Sequence, residues 1–595
     1  MDIVTKSLFD QFKNQYSLNA LQESDAFELF VIYCVVSRYV KSETISKDLL
    51  NELNVGNGND WGIDGAILVV NGRIVTSAQE INDLLVANNS LHVHILLIQA
   101  KTSESFDVGC LGKTLDGAEY LLKDILGETT LPCCNQDLTE FRYLLKHIYS
   151  NSADFTDNKN PRLSIFYATC GTYEAQNDFT SRIAKTKSFL LSTDLLDSEG
   201  VECSMLGKKD IVQLYKETKT QLKADVKVEQ KITLPDVPSI TESYLCLIKF
   251  SEFKKLIVDE QGEIRESVFN DNIRAYQGDN AVNKAMSKSL QEGNHNLFTS
   301  MNNGITIIAK SMRPTGMSIH LSDYQIVNGC QTSNVLYNNM NLVDLNDLQL
   351  IVKLIASKDK DIQTNIIVGN NSQTEVKREQ LVSLLESQKA IEDYYIAQNK
   401  YEKLYYERRS KQYRNGDGQI PQFRIITISF QIKAFVSMIL GEPDKVGGYY
   451  GSIVEEFDQN GHKVFSPNTN PALYYTSALA CFKMTECFTE KVIDRKYKKM
   501  KYHLLLAFRL MCEKFTLPAF NSHKVEEYCD HLCTILCDEN RCKEGFVAAT
   551  KLVDVALKRN PVDSDRMSSD FTEKLKELAR KANEYNKKAT KESPL

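Results

Sequence analysis

Asp64, Gln99 and Lys101 are the residues whose types and spacing could do chemistry first. Asp64 stands in Gly62-Ile63-Asp64-Gly65, just ahead of the apolar run Ala66–Val70, which reads as a short strand. Gln99 and Lys101 close a longer strand, Val93–Ala100. Residues two apart on a strand share a face, so Gln99 and Lys101 point together while Ala100 points into the opposite core. The apolar run Ile95–Ile98 before them marks a central, buried strand. A lysine at the end of such a strand needs a partner or a role. Asp64 is the natural partner if the two strands lie side by side. Alone, each residue has a plainer reading: Q-x-K arises by chance, and an aspartate between glycines is a common turn residue.

A second group is rich in amides. Asn302, Asn303, Asn328 and Gln331 sit at strand ends, and their side chains both donate and accept. Tyr324–Val327 reads as a strand, Asn328-Gly329 as a turn and Gln331 onward as a helix. Such a junction aims backbone N–H groups at one point, where an anion can sit. Arg274 could pair with a phosphate through its planar fork. Nucleotide or nucleic-acid binding and a buried amide network that holds loops in place are both open for this group. A third group is basic. Arg408 and Arg409 lie in a stretch, residues 400–424, that interleaves Lys and Arg with Tyr401, Tyr405, Tyr406 and Tyr413, as a groove that tracks a phosphate backbone would. A second run, Lys491–Lys501, has the same character; for each run the alternative is a solvated helix face. His92 and His94 share a strand face but lie at its far end from Gln99. Cys529, Cys533, Cys537 and Cys542 read as a small apolar helix stripe, or as thiolates that His523 and His531 would complete as a metal site.

The elements that must position these groups follow from patterning. Residues 24–40 form a largely buried helix that carries Glu28, with Ser24 or Asp25 near its N-cap. A Gly/Asn-rich break, NVGNGNDWG, precedes Asp64. Asn71-Gly72 is a hairpin signal joining Ala66–Val70 to Arg73–Ser77. Helical stripes (Leu115, Ala118, Leu122 and Ile125; then Leu138, Phe141, Leu145 and Ile148) alternate with a strand at Leu163–Tyr167. This order predicts an α/β domain over residues 1–230, with a mixed sheet flanked by helices. An α+β region follows over 235–460, and a mostly helical region over 461–595.

The chain has 595 residues, 42% hydrophobic and 25% charged, near the values for soluble globular proteins. The formal net charge of −7 excludes coating of nucleic acid through bulk positive charge, but leaves a local basic groove open. The first 110 residues hold 7 basic and 14 acidic residues, so a nucleic-acid grip has to come largely from elsewhere. The start, MDIVTKSLFDQF, has no secretory pattern and no run is long enough to span a bilayer, so a cytoplasmic protein is expected. Fifteen cysteines without a C-x-x-C pair do not form a secreted disulfide framework. No P-loop pattern is present.

Two resemblances are carried by these residues. The acid at a hairpin start (Asp64, in GIDG), followed by Gln99-Ala100-Lys101 on the next strand, with Glu28 on a preceding helix, resembles the PD-(D/E)xK nuclease superfamily in its Mrr-like restriction-endonuclease branch. That resemblance implies a Mg²⁺ (or Mn²⁺) ion held by Asp64, the Gln99 amide oxygen, the Ala100 carbonyl and Glu28, with Lys101 orienting water or stabilising the phosphate. It implies cleavage of DNA, RNA being equally suited to the same ligands, or a catalytically dead fold used as a sensor. Gln99 departs from the commoner glutamate and takes one negative charge from the site. The pieces FTSMNNGITIIA, YQIVNGCQTSNVLY and VGNNSQTEVKREQL resemble the AIPR family of abortive phage infection proteins over roughly residues 240–500. That implies prokaryotic antiviral defence, with a phage-derived trigger or nucleotide as a possible partner of the region. Cutting both strands of a duplex needs two sites, so a homodimer is expected.

Overall fold

The computed structural model describes the chain except for residues 41–43, 157–158, 220–221, 259–261, 263, 270–280, 294–297, 301, 372–385, 409–411, 414–419, 449, 460–463, 559–567 and 593–595. It divides into two compact units. The first comprises Met1–Asp10, Phe27–Ile45 and Leu53–Leu381; the second comprises Gln11–Ala26, Ser46–Glu52 and Val382–Leu595.

The first unit opens with α1 (Ile3–Tyr16), α2 (Glu23–Val36) and α3 (Lys47–Leu53), whose residues are divided between the two units. A five-stranded sheet follows, built from β1 (Gly65–Val70), β2 (Arg73–Val75), β3 (Val93–Lys101), β4 (Arg162–Thr169) and β5 (Val201–Leu206), in the order β2-β1-β3-β4-β5. Asn71 and Gly72 both take positive φ (51° and 73°), which lets a two-residue turn join β1 to β2. β1 also runs antiparallel to β3, whereas β3, β4 and β5 are mutually parallel. Parallel neighbours need crossovers. α5 (Val108–Ile125) and α6 (Gln136–Ser150) supply the first, and α7 (Asn177–Ser192) the second; α4 (Ala78–Asn88) and α8 (Lys208–Lys219) complete the set. Leu68, Val70, Ile95, Leu97 and Ile165 meet Leu111, Leu115, Ala118 and Leu122 in one core. On the other face α2 comes close: a Cβ on Gly65 would lie 2.8 Å from Ile32 and 3.3 Å from Ile98. That explains why α2 is apolar on nearly every side.

A second, six-stranded sheet uses β6 (Lys223–Lys227), β7 (Gln230–Thr233), β8 (Ile240–Lys249), β9 (Ile305–Thr315), β10 (Ser318–Asn328) and β11 (Gln349–Ser357), in the order β6-β10-β9-β11-β8-β7. Only β9 and β11 pair in parallel. α9 (Phe250–Ile257), α10 (Ala281–Gln291) and the helices Cys330–Asn339 and Lys360–Asn371 accompany it. β6 and β7 already belong to this sheet, so the changeover falls before residue 223 and not near the expected 235.

The second unit is a helical core around Phe435, Tyr474, Leu479, Leu505, Phe508, Leu532, Phe546 and Phe571. It takes in residues 382–460, which patterning assigns to the middle region, and a short parallel pair, β12 (Tyr405–Glu407) and β13 (Ile425–Thr427). The chain is thus mixed α/β through its N-terminal half and mostly helical toward its C-terminus. No helix among the described residues is long and apolar enough to cross a membrane.

Candidate functional site

The turn before β1 is built to hold one aspartate still. Asp60 accepts from the N–H groups of Asn57 (3.3 Å), Gly58 (3.1 Å) and Gly62 (2.9 Å). Asn59, Trp61, Gly58 and Gly62 all take positive φ, which coils residues 58–62 tightly. Asn135, the N-cap of α6, donates to the carbonyls of Val55 (2.8 Å) and Gly58 (3.1 Å). α5 lies against the same turn: Thr114 Oγ1 donates to Gly62 O at 2.7 Å, and a Cβ on Gly62 would lie 2.8 Å from Lys113. Gly62 is therefore required twice, for its φ and for its size.

Asp64 leaves this turn next to the end of β3. Its N–H donates to Ile98 O (2.8 Å), and the register pairing Gly65 with Ile98 sets Asp64 opposite Gln99. Asp64 Oδ2 accepts from the Ala100 N–H at 2.8 Å and from Lys101 Nζ at 3.2 Å. The Ala100 carbonyl points the same way as its N–H, toward Asp64, because both groups of one strand residue face one neighbour. Glu28, on α2, reaches the same place. A Cβ on Gly56 would lie 3.0 Å from Glu28 Oε2 and 3.1 Å from Asp64 Oδ1, so the two oxygens are no further apart than those distances end to end. The segment before the turn lines the approach: Val55 and Gly56 donate to Asp64 O (2.9 and 3.1 Å), and Asn54 Nδ2 donates to Glu28 Oε2 at 3.1 Å.

Asp64 is 3% exposed and Gln99 2% exposed. Burial raises the Asp64 pKa above 3.8, by more than Lys101 and the Ala100 N–H lower it. Burial lowers the half-buried Lys101, but Asp64 and then Glu28 outweigh it and hold its pKa above 10.5. The site thus has negative charge in excess of its one lysine. Gln99 Oε1 is buried with no hydrogen-bond partner, a costly state for a carbonyl. Two carboxylates, an amide oxygen without a partner and a backbone carbonyl form an all-oxygen donor set of the kind a hard divalent cation takes. Gly56 leaves open the space between the carboxylates that a side chain would fill. The residues present therefore fit such an ion. Among the described residues no group of three His, Cys, Asp or Glu is arranged to hold a metal, so Gln99 and the backbone are essential to this fit.

The structure brings Asp64, Gln99, Ala100 and Lys101 together at the ends of two paired strands, as the spacing predicts, and sets Glu28 beside Asp64, as the resemblance implies. Asn54 and Gly56 lie in NVGNGNDWG, which reads as a loop; the signal in the sequence is the apolar Leu53 and Val55 on either side of Asn54, both buried in the structure. His94 bonds to Ser164 Oγ at 2.9 Å, and burial lowers its pKa to about 3. Cys529, Cys533 and Cys542 are buried in the helical core, with Cys533 Sγ 3.3 Å from Thr476 Oγ1.

The amide-rich group behaves differently. Gly329 caps the helix Cys330–Asn339 at φ 104°, so the expected strand–turn–helix junction is present. Its amides are engaged with their neighbours. Asn283 Nδ2 donates to Gln331 Oε1 (2.8 Å), Asn328 Nδ2 to Asn370 O (3.3 Å), Asn302 Nδ2 to Phe298 O (2.9 Å) and Thr332 Oγ1 to Asn302 Oδ1 (3.4 Å). Asn303 is exposed. Arg274 and Arg409 lie outside the described residues. Arg408 is a correction: expected on a basic groove, it is buried and its Nε donates to Glu392 Oε2 at 2.8 Å. Other described basic residues of that stretch are similarly engaged. Lys403 donates to the carbonyls of Tyr395 (3.0 Å) and Ile396 (2.7 Å), Arg424 pairs with Glu402 (2.7 Å), and Lys400 pairs with Asp530. A basic–aromatic run was here a set of internal contacts of the helical unit.

Comparison with known proteins bears on the second half of this description. Residues 269–541 match the family model described as AIPR protein, a span containing both NNGITI and QIVNGCQT. No curated protein and no solved structure matches the chain.

Proposed function

We propose that the chain is a metal-dependent nuclease of antiviral defence, with its active site at Asp64, Gln99, Lys101 and Glu28. The observation that carries this reading is the convergence of Glu28, Asp64 and Lys101, with Gln99, whose buried Oε1 has no hydrogen-bond partner, at the strand position opposite Asp64. Asp64, Gln99 Oε1, the Ala100 carbonyl and Glu28 would hold Mg²⁺ or Mn²⁺. When bound, such an ion polarises a phosphodiester and lowers the pKa of water. Lys101, held by Asp64 and still partly exposed, can orient the attacking water or stabilise charge developing on the phosphate. The AIPR match over residues 269–541 supports the defence setting; that this region takes nucleic acid or a nucleotide and regulates cleavage is part of the proposal. A duplex cut on both strands calls for two such sites, which a symmetric dimer would supply.

Cleavage of plasmid DNA, single-stranded DNA and RNA tests the reading, with Mg²⁺, Mn²⁺ or EDTA, for wild type, Asp64→Ala and Lys101→Ala. The expected result is metal-dependent cutting that falls at least about 100-fold in each variant, the scale for losing one preorganised charge-stabilising group. Cutting that survives in both variants would refute the assignment.

A further inference from the structure

The basic run Lys491–Lys501 is used within the helical unit, on the two N-terminal helices that lead into the candidate site. Lys501 is 5% exposed, and its Nζ bonds to Asp48 Oδ2 at 2.5 Å and to Glu52 Oε1. Asp48 and Glu52 stand one turn apart on one face of α3, so a single ammonium clamps the helix at two points. Lys498 Nζ donates to Glu52 O at 3.4 Å, and Lys491 pairs with Asp25, in the first turn of α2, at 3.5 Å. All of these residues belong to the second unit. The chain then passes directly into the first unit at both helices. Three residues after Asp25 on α2 comes Glu28. Two residues after Glu52 comes Asn54, which donates to the Glu28 carboxylate and bridges to Gly65, next to Asp64. A seven-residue helix has little stability of its own, so its position is set by what it packs on and bonds to. Removing the buried ammonium would leave the half-buried Asp48 and Glu52 without their shared cation, a cost that falls on α3 rather than on surfaces elsewhere.

We propose that Lys501 is a positioning residue for the candidate site: by fixing α3 through Asp48 and Glu52 it fixes Asn54, and through Asn54 the carboxylate of Glu28. This deepens the nuclease reading and rests on it for its catalytic meaning. A change at Lys501 thereby reaches the site through the continuous backbone of α3, without any contact to substrate.

The test uses the full chain as wild type, Lys501→Met, Lys501→Arg, Asn54→Ala and, as control, Lys514→Met, which removes an exposed pair with Glu527 in the same unit. Hydrogen exchange is read at residues 53–65, and Mn²⁺ binding by calorimetry. In Lys501→Met, exchange at 53–65 is expected to quicken at least tenfold while β4 and α5 stay as in wild type. Mn²⁺ binding is expected to weaken at least tenfold in Lys501→Met and Asn54→Ala, and to be retained in Lys501→Arg and Lys514→Met. Wild-type exchange at 53–65 in Lys501→Met, or uniform quickening across the whole protein, overturns the proposal. If Lys501→Met does not fold, Asn54→Ala decides: unchanged Mn²⁺ affinity there overturns it. If wild type neither binds Mn²⁺ nor cuts, the nuclease reading fails on its own, and hydrogen exchange still decides whether Lys501 controls the segment.

Discussion

The end of β3 and the junction of β10 with its following helix are both strand ends dense in polar side chains, yet they dispose of their hydrogen bonds in opposite ways. At the β10 junction, side-chain amides bond within the protein: Asn283 donates to Gln331 Oε1, Asn328 to the Asn370 carbonyl and Asn302 to the Phe298 carbonyl, while the Thr332 hydroxyl donates to Asn302 Oδ1. The bonds tie α10, two further helices and the sheet together. At the end of β3, Gln99 Oε1 is buried and has no partner, while two carboxylates share a space beside one lysine. Hydrogen bonds made within the protein rigidify it, whereas a buried acceptor without one costs stability and calls for an explanation such as a bound ion. Residue type alone does not separate the two sites. The difference lies in whether the buried polar atoms are used by the protein itself.

A pair of matched substitutions gives the largest expected contrast. Gln99→Met removes an acceptor without a partner, so it should stabilise the protein by about 1 kcal/mol while weakening Mn²⁺ binding at least about tenfold. Gln331→Met removes the acceptor of a 2.8 Å bond from the 1%-exposed Asn283, so it should destabilise by about 1–2 kcal/mol and leave Mn²⁺ binding unchanged. Denaturant melts with and without Mn²⁺ read both effects. Equal signs in the two variants would erase the distinction. A smaller effect is expected of Gly56→Ala, whose Cβ would press on Glu28 Oε2 and Asp64 Oδ1 at 3.0 and 3.1 Å. Cleavage should fall about tenfold through a misplaced carboxylate, with the fold intact by circular dichroism. Wild-type turnover would mean that the space between the carboxylates is not used.

The smallest effects are in pH. The raised Asp64 pKa means that protons compete with a cation at a higher pH than at an exposed aspartate. Mn²⁺ affinity should therefore weaken on acidification while still above 3.8, and calorimetry across the acid range reads this. Glu52 shows the opposite sign. Burial pushes its pKa up, but Lys501 outweighs burial and holds it below 4.5. A depressed carboxylate stabilises the fold above its unfolded pKa, and that stabilisation is lost as pH falls through the depressed value. Glu52's contribution to stability should therefore be lost as pH falls below 4.5, and Lys501→Met should lose this part of the pH dependence of acid unfolding.

Much of the first site was legible because it is local. The apolar run Ile95–Ile98 and the GIDG turn place Gln99, Lys101 and Asp64, and the resemblance singles out Glu28 on a buried helical run. Asn54 and Gly56 escaped because their role depends on a long-range pairing with Gly65 and Asp64. The basic runs were misread for a related reason. Arg408 looks like a phosphate contact until Glu392, on the preceding helix, is brought to it, and Lys501 until α3 is. A charge run shows where cations are, but not which anions the fold delivers. Patterning starts the helical region at 461, whereas the helical unit takes in the chain from Val382 onward and includes the short parallel pair Tyr405–Glu407 and Ile425–Thr427. Nothing in the pattern of residues 11–26 or 46–52 signals that they pack with a unit that otherwise begins at residue 382.

The central claim is that the oxygens of Asp64, Gln99 and Glu28 enclose a cation. Anomalous scattering from crystals of the full chain grown with Mn²⁺ tests it most directly. The account predicts one strong peak within coordination distance of Asp64 and of Gln99 Oε1, absent from Asp64→Ala crystals grown the same way. Well-ordered wild-type crystals with no peak there, or with manganese bound only elsewhere, would contradict it.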